Sequence, residues 1–224
     1  MNGNDVWNEN LGDELDFWRM VLSDPSPSGQ VQRDRAQERA VWDEFRSRIA
    51  DDVDPVRILD VGSGPLTTLG TVWPDHNVEV VAIDPLADEY NSVLDELGIV
   101  GPVRAIPMMG EELSRHLPVR HFHLAHAANS LDHSSDPAKT ITEMVAVTVP
   151  GGTVCLLHHV NVGEMELYHG LHQWNLCPAG GADVRIWSRN SEVMLSALAP
   201  GATIEVVEEP GDLFRVWLTT QTSD

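Results

Sequence analysis

The sequence predicts an α/β fold in which an open, mostly parallel sheet is closed by an antiparallel hairpin. Short apolar runs alternate with segments long enough for helices of about ten residues, which is typical of parallel β-α-β units with right-handed crossovers. Near the C-terminus this pattern changes, because two β-rich runs, 202–207 and 213–219, are separated only by a Glu-Glu-Pro-Gly-Asp turn. Together these observations place a hairpin at the end of a parallel sheet.

The parallel part of the predicted sheet consists of five short apolar runs with helices between them. Strands are expected at 56–59, 78–83, 103–107, 122–127 and 153–157, and helices at 65–73, 86–97, 110–116 and 137–148. Ligands of such sheets bind outside the carboxyl ends of the strands. Residues that follow these strand ends are therefore the first candidates for a functional site.

Two amphipathic helices are expected ahead of the first strand, at 11–22 and at about 31–50. The first places four large apolar residues on one face, namely Leu11, Leu15, Trp18 and Leu22. The chain thus divides into an N-terminal helical cover (1–52), which either covers the sheet or forms a homodimer contact, and a main domain (53–224). An insertion at about 160–188 is too long for an ordinary connection and is a candidate lid or binding loop.

The composition of the 224-residue chain argues against several function classes. With 14 Lys+Arg against 35 Asp+Glu, the formal net charge of −21 opposes binding to nucleic acid or to anionic membranes. Two cysteines, Cys155 and Cys177, without a metal-binding CxxC pair are typical of a reducing compartment. The apolar runs are shorter than a membrane span, and the polar N-terminus does not have the pattern of a signal peptide. We therefore expect a cytoplasmic protein with no nucleic-acid or membrane partner.

A glycine-containing loop follows the first predicted strand, and an acid follows the second. Gly62 and Gly64 allow a tight turn and close approach to a ligand, and Asp84 is suited to accept hydrogen bonds from a ribose diol. A dinucleotide-binding fingerprint has a third glycine where Thr67 stands, and Asp60 would repel a pyrophosphate. A cationic sulfonium would be attracted instead, so the pattern favours S-adenosylmethionine. Taken singly, the glycines are also explained by a tight turn and Asp84 by a helix cap.

Five short segments follow one another in an order that is typical of one enzyme family. They are Ile58–Gly64, Ala82–Pro85, Gly110–Leu113, Ser130–His133 with Asp136-Pro137, and Val149–Gly152. In residues and spacing they resemble the motifs of class I S-adenosylmethionine-dependent methyltransferases. The resemblance implies a Rossmann-like fold with a seven-stranded, mostly parallel sheet, a C-terminal antiparallel hairpin and N-terminal cover helices.

The resemblance also implies which residues bind the cofactor. The expected contacts are Asp60, Gly62, Gly64, Asp84, Met109, Gly110, Glu111 and Asn129. Glu111 stands where the family's acid lies beside the adenine, although an acid in a first helical turn is also explained by the helix dipole. The fourth strand begins Phe122-His123 where Phe-Asp is common in the family, which puts the role of that aspartate in doubt but leaves the cofactor assignment unchanged.

Histidines placed after strand ends are the candidates for the chemistry. Methylation of a hydroxyl requires removal of its proton, and histidine is suited to act as the base near neutral pH. We expect His133, His159 and His172 to be catalytic, one as general base and another to orient the acceptor. Structural roles are the alternatives, because His133 would brace its loop and one of His158 and His159 must face the other side of the sheet.

The insertion contains residues suited to a planar polar substrate. The predicted substrate contacts are Tyr168, Gln173, Trp174 and Asn175, because an aromatic face beside amide groups stacks well on a sugar ring. For Trp174, packing within a lid is the alternative. A divalent cation such as Mg²⁺ would find ligands among Asp132, His133, His158, His159 and Glu164, although no spacing among them is diagnostic.

The function expected from these patterns is S-adenosylmethionine-dependent methylation of a small molecule or oligosaccharide, and specifically O-methylation of a sugar or glycoside hydroxyl. The segment Gly170–Asn175 is similar to a string in methyltransferases near polysaccharide and natural-product pathways, and the lysine-poor composition suits an actinobacterial pathway. The chain in this respect resembles the O-methyltransferases of mycobacterial methylmannose polysaccharide biosynthesis. The alternatives are N-methylation of an amine or imidazole in a natural-product pathway, and a non-catalytic cofactor-binding module.

Overall fold

Seven strands form the central sheet of the computed structural model, which describes residues 3–222. Within that range the strands are β1 (Val56–Val61), β2 (Val78–Asp84), β3 (Ile106–Pro107), β4 (Phe122–Ala128), β5 (Thr148–His159), β6 (Asn175–Ala179), β7 (Asp183–Trp187), β8 (Glu192–Met194), β9 (Thr203–Glu209) and β10 (Leu213–Thr219). The sheet order is β3-β2-β1-β4-β5-β10-β9. Strands β1 to β5 run parallel, and β10 is antiparallel to both β5 and β9. The predicted fold class is confirmed.

The sheet is covered on both faces, which explains why its central strands read as nearly continuous apolar runs. In β1, Leu59 and Val61 belong to the larger core, together with helix and insertion residues. Ile58 points to the other face, where it packs with Val41 and Phe45 from the N-terminal region. The alternation of side chains along one strand therefore supplies both cores.

The helices lie mostly where the hydrophobic pattern predicts them. They are α1 (Gly3–Ser23), α2 (Pro27–Arg33), α3 (Asp43–Arg46), α4 (Ala87–Glu96), α5 (Leu113–His116), α6 (Pro137–Val147), α7 (Val162–Met165) and α8 (Leu195–Leu198). The start of α6 follows from Asp136, whose side chain accepts a hydrogen bond from the Lys139 N–H, and from Pro137 in the first turn. Within the part of the chain that the structure describes, no helix has the length and apolar character needed to cross a membrane.

Two predicted helices are wrong, and one interaction explains both. The segment predicted as a helix over 31–50 is broken between α2 and α3, and no helix forms over 65–73. Instead the two segments run side by side, because the Thr71 and Val72 N–H groups donate to the Arg39 carbonyl and the Val41 N–H donates to the Val72 carbonyl. A Cβ on Gly70 would lie 2.0 Å from the Ala40 carbonyl oxygen, so this approach requires glycine. Tertiary pairing has overridden local helical preference.

The insertion is a folded unit rather than an open loop. Strands β6, β7 and β8 form a separate three-stranded antiparallel sheet. Its inward side chains, Leu176, Val184 and Ile186, are buried in the larger core. Only the part of the insertion ahead of β6 is therefore free to shape a binding site.

Candidate active site

A cavity of about 640 Å³ lies at the carboxyl edge of the central strands. The ends of β1, β2, β4 and β5 border it, with α1 and the first part of the insertion completing the wall. Among the described lining residues, seven carboxylates and one arginine face the cavity: Asp13, Glu14, Asp60, Asp84, Glu111, Asp132, Glu166 and Arg35. The volume suits a small-molecule or cofactor ligand. A lining of this charge favours a cation and opposes a pyrophosphate.

The loop after β1 requires glycine at two positions. Gly62 and Gly64 have φ values of +68° and +63°, in the left-handed region. A Cβ on Gly62 would lie 2.4 Å from the Ser130 Cβ, and one on Gly64 would lie 3.3 Å from Cζ2 of Trp18. The N–H groups of Gly62 and Ser63 both donate to the carbonyl of Ile83 at the end of β2. The loop is thereby held against both neighbouring strands.

Asp84 is buried beside this loop at the end of β2. Its carboxylate accepts hydrogen bonds from the N–H groups of Gly64 (3.0 Å) and Leu86 (2.9 Å). Burial nevertheless raises the pKa of Asp84 to about 6, and repulsion from Glu14 and Asp60 adds to this effect. Burial deprives the Asp84 carboxylate of hydration. A ligand hydroxyl that donates a hydrogen bond to the carboxylate would compensate for this loss and favour the ionised form.

Asp60 borders the cavity but is already held by two buried side chains. Thr67 donates its hydroxyl to one carboxylate oxygen at 2.5 Å, and Nδ1 of His126 contacts the other at 2.7 Å. Thr67, which stands where a dinucleotide fingerprint has its third glycine, therefore has a defined role as a donor to Asp60. These two contacts fix the orientation of the Asp60 carboxylate.

The remaining predicted cofactor residues, Met109, Gly110, Glu111 and Asn129, also line the cavity. Glu111 accepts hydrogen bonds from the Ser135 hydroxyl (2.8 Å) and the Asp136 N–H (3.0 Å), which tie it to the start of α6. Asn129 adopts φ +47°, and its side-chain oxygen accepts from the His159 N–H at 3.2 Å. All eight residues expected to contact the cofactor thus border one cavity.

Sequence reasoning missed Arg35 and the acids of α1 as cavity residues. Arg35 is partly buried, and burial together with neighbouring Arg39 lowers its pKa from the ordinary value. It lies in a segment predicted as a surface helix, and no local signal marks it. In α1, Glu14 accepts a hydrogen bond from Nε1 of Trp18 at 2.8 Å, and the Trp18 ring packs edge-on to Tyr90. The helix thereby covers the glycine loop.

The three predicted catalytic histidines, His133, His159 and His172, line the same cavity. Two of them converge on one carboxylate. His172 Nδ1 lies 2.7 Å from Oδ2 of Asp132 and 2.9 Å from His133 Nε2, and that Nε2 lies 3.4 Å from the same Oδ2. We refer to Asp132, His133 and His172 as the Asp-His-His cluster.

Within the Asp-His-His cluster, the carboxylate and the imidazoles stabilise each other's charged forms. Burial alone would raise the pKa of Asp132, but the neighbouring His133, His172 and His158 lower it to about 2. The hydrogen bond with Asp132 raises the pKa of His172. His158 is fully buried behind the cluster, with Nδ1 3.9 Å from Oδ1 of Asp132, and burial lowers its pKa to about 4. His158 is therefore neutral at pH 7, beside an ionised Asp132.

Backbone and amide contacts hold the His172 segment against Asp132. The N–H groups of Gln173 (3.0 Å) and Trp174 (3.3 Å) donate to the Asp132 carbonyl. The Gln173 side chain donates to the carbonyls of Tyr168 (2.9 Å) and Gly170 (2.8 Å), which closes the loop that carries His172. These bonds fix His172 before any ligand binds.

The structure does not bring the four predicted substrate residues, Tyr168, Gln173, Trp174 and Asn175, to the cavity wall. Gln173 closes the loop described above, and Trp174 packs on the larger core. Asn175 is fully buried, accepts from the Glu164 N–H (2.8 Å) and donates to the Tyr168 hydroxyl (3.1 Å). These side chains shape the insertion from within, because its small sheet buries one of its faces.

Of the five metal candidates, the structure groups only Asp132 and His133, and it adds His172. His159 is exposed at the cavity wall, and His158 is buried behind Asp132, outside the group of three. Glu164 is exposed in α7 and is not a lining residue. The sequence did not place His172 in this group, because His172 lies in a different part of the chain from the residues after β4.

His123, the departure from the family pattern, has a structural role between β1 and β4. Its Nδ1 accepts a hydrogen bond from the Arg57 N–H at 3.0 Å, while Nε of Arg57 donates to the His121 carbonyl. Burial lowers the pKa of His123, which keeps Nδ1 available as an acceptor. The substitution lies outside the cavity lining and leaves the site intact.

Comparison with known proteins identifies the fold. No protein-family model and no curated protein matches the chain. The CMeT domain of the citrinin polyketide synthase matches 92% of this chain at 17% identity with a TM-score of 0.56. A Listeria monocytogenes protein assigned as an S-adenosylmethionine-dependent methyltransferase matches 80% of this chain and 97% of its own length at 13% identity, with a TM-score of 0.50. The fold is that of these methyltransferases.

Some of these structures are longer than the chain. It spans 60% of the length of the citrinin synthase domain. It also spans 49% of the [4+2]-cyclase SpnF, which matches 56% of this chain at 25% identity with a TM-score of 0.38.

Proposed function

We propose that this protein is an S-adenosylmethionine-dependent methyltransferase acting on a small molecule. The observation that carries the proposal is the acidic cavity, where seven carboxylates and one arginine surround a glycine loop. A cofactor with a cationic sulfonium and an ammonium group suits that lining, whereas a dinucleotide pyrophosphate does not. The methyltransferase fold supports the same cofactor.

The lining residues fit the parts of this cofactor. Asp84 accepts hydrogen bonds from the ribose hydroxyls, and Glu111 lies beside the adenine. Gly62 and Gly64 let the backbone approach the ligand, and Arg35 pairs with the carboxylate at the amino-acid end. When bound, S-adenosylmethionine supplies a methyl group whose bonding electron pair stays on sulfur as an acceptor takes the methyl.

We propose a sugar or glycoside hydroxyl as the acceptor. His159 takes the hydroxyl proton on a ring nitrogen, and the Asp-His-His cluster orients the acceptor, since both line the cavity. The cluster offers the donors and acceptors that a polyol requires. Because Trp174 packs in the core, the aromatic contact to the acceptor comes instead from Phe17 and Trp18 of α1, which border the cavity.

The cofactor assignment is tested by calorimetric titration with S-adenosylhomocysteine, with NADH as the control ligand. We expect micromolar binding of S-adenosylhomocysteine, no binding of NADH, and a loss of at least about tenfold in Asp84→Ala. Asp88→Ala is the matched control, because Asp88 is an exposed carboxylate four residues away. Binding of NADH, or equal affinity in Asp84→Ala and wild type, would refute the assignment.

The acceptor chemistry is tested by methyl-transfer assays on sugars, glycosides and amines. We expect His159→Ala to lower turnover on a hydroxyl acceptor by about 100-fold or more with unchanged affinity for S-adenosylhomocysteine. His116→Ala, an exposed histidine outside the cavity, should retain full turnover. Transfer to amines that survives the combined loss of His133, His159 and His172 would favour N-methylation instead. Cofactor binding without transfer to any acceptor would indicate a binding module.

A further inference from the structure

We infer that the Asp-His-His cluster is a divalent-cation site of the class that prefers imidazole ligands, placed to bind the acceptor. The inference deepens the proposed function in one respect, since the use of the ion for methyl transfer rests on that function. The site itself rests on the arrangement of Asp132, His133 and His172.

The three ligand atoms form a triangle of the right size for one ion. Its sides are 2.7 Å from Asp132 Oδ2 to His172 Nδ1, 2.9 Å from there to His133 Nε2, and 3.4 Å from His133 Nε2 back to Oδ2. An ion about 2.1 Å from each atom, the usual bond length for imidazole and carboxylate ligands, would lie about 1 Å above the plane of the triangle. The three ligand atoms are thus already close enough together to bind one ion.

Hydrogen bonds among the three side chains of this cluster cannot use all of their donors and acceptors at once. His172 Nδ1 is within hydrogen-bonding distance of both the carboxylate and His133 Nε2. If it carries a proton, its two acceptors compete for that proton. If it does not, its lone pair faces the carboxylate oxygen at 2.7 Å. A cation at the common point is attracted by all three lone pairs at once.

The donor set indicates the class of ion. Two imidazole nitrogens and one carboxylate suit Zn²⁺, Fe²⁺ and their first-row neighbours, whereas Mg²⁺ prefers an all-oxygen environment. The Mg²⁺ considered from sequence is therefore the less suitable ion. Three protein ligands on one side leave further coordination positions free, as in catalytic metal sites.

The surroundings of the cluster support ligation and access. Asp132 is buried, and its Oδ1 has no hydrogen-bond partner, so the carboxylate has capacity to spare. The His133 and His172 side chains are 23% and 33% exposed, and both line the cavity. Gln173 holds the His172 loop from behind, as a supporting contact does at many metal sites. The open side of the cluster faces the cavity.

Such an ion selects an acceptor with two adjacent oxygen atoms, such as a vicinal diol of a sugar, because two free positions would chelate it. Coordination lowers the pKa of a bound hydroxyl. His159, which lines the same cavity, would take that proton on a ring nitrogen, and the acceptor oxygen would then be the nucleophile. The oxygen forms the new bond to the methyl carbon as the carbon–sulfur bond breaks, with that electron pair remaining on sulfur.

The site is tested by titrating the metal-free protein with Zn²⁺, and with Co²⁺ for its visible absorption, in the wild type, His133→Ala and His172→Ala. We expect one equivalent of Zn²⁺ in the wild type and affinity lowered by more than about 100-fold in both variants, beyond the loss from removing a supporting contact. His116→Ala should bind as the wild type does. Excess Mg²⁺ should not displace Co²⁺.

Titration of the same samples with S-adenosylhomocysteine separates this inference from the proposed function. If the protein binds the metal at the cluster but does not bind S-adenosylhomocysteine, the metal site is upheld and the methyltransferase proposal is refuted. Cofactor binding with no Zn²⁺ or Co²⁺ binding would refute the site alone. The site is also refuted if His133→Ala and His172→Ala bind metal like the wild type, or if Mg²⁺ competes on equal terms.

Discussion

The cavity has two ends, one at the glycine loop after β1 and one at the Asp-His-His cluster. They differ in how far apart in the sequence their contacting residues lie. At the first end, Gly64 in the loop after β1 and Asp84 at the end of the neighbouring strand β2 are 20 residues apart. At the second, His172 reaches back over 40 residues to Asp132 from the insertion. The first end thus depends on two strand ends in register, and the second depends on how a separate small sheet folds back. Substitutions at one end should therefore leave the other end largely unchanged.

The largest effect is expected from Gly62→Ala at the glycine-loop end. The new Cβ would clash with Ser130 in a left-handed backbone conformation, which should cost at least about 3 kcal/mol of unfolding free energy and abolish cofactor binding. Gly98→Ala is the matched control, because Gly98 has φ +66° but open space around it, and should cost only about 1–2 kcal/mol. Denaturant unfolding measures the free energy of unfolding of both variants. Equal losses in the two would show that the Ser130 side chain moves aside without cost.

At the histidine end, Asn175→Ala should act on stability and turnover without weakening cofactor binding. Removal of its two buried hydrogen bonds leaves the Glu164 N–H unpaired and should cost about 2–3 kcal/mol. S-adenosylhomocysteine affinity should stay within about twofold of the wild type. Asn190→Ala, at an exposed position, is the control and should change neither quantity. A weaker cofactor affinity in Asn175→Ala would mean that the two ends are coupled.

The pH dependence of cofactor binding should report on the glycine-loop end. Under the proposed cofactor assignment, only ionised Asp84 would accept hydrogen bonds from both ribose hydroxyls, and burial raises its pKa to about 6. Lowering the pH from 7.5 to 5 should therefore weaken S-adenosylhomocysteine binding by about tenfold. Calorimetry across this range checks it, and a flat profile in the wild type would exclude Asp84 as the responsible group. Because burial penalises the ionised form, the same protonation favours rather than opposes folding of the free protein.

The smallest effect is expected for His123, which supports the strands between the two ends. His123→Asp restores the residue common in the family, and a carboxylate can accept the Arg57 N–H as the imidazole does. We expect a change in unfolding free energy below about 1 kcal/mol and unchanged cofactor affinity. His123→Ala removes the acceptor and should destabilise by about 1 kcal/mol. A large loss of turnover in His123→Asp would contradict a purely structural role.

The mostly parallel sheet and the cofactor-side residues followed from the sequence. Apolar runs bounded by Gly62, Gly64 and Asp84 are local patterns, and the right-handed crossover rule brings consecutive strand ends to one edge. The terminal hairpin was equally local. For this reason the expected cofactor contacts all border the cavity, although they were chosen without any contact information.

Only the tertiary structure showed those features that depend on contacts between segments distant in the sequence. Residues 39–41 and 71–72 have helical patterns but pair with each other, because their backbone groups satisfy one another over the second core. Trp174 and Asn175 have the composition of a sugar-binding loop, but Trp174 packs against the larger core and Asn175 is buried, because the small sheet needs a buried face. His172 joins Asp132 only through the loop that Gln173 closes. A local sequence pattern indicates the secondary structure that a segment prefers. The segment that pairs with it and overrides this preference lies elsewhere in the sequence.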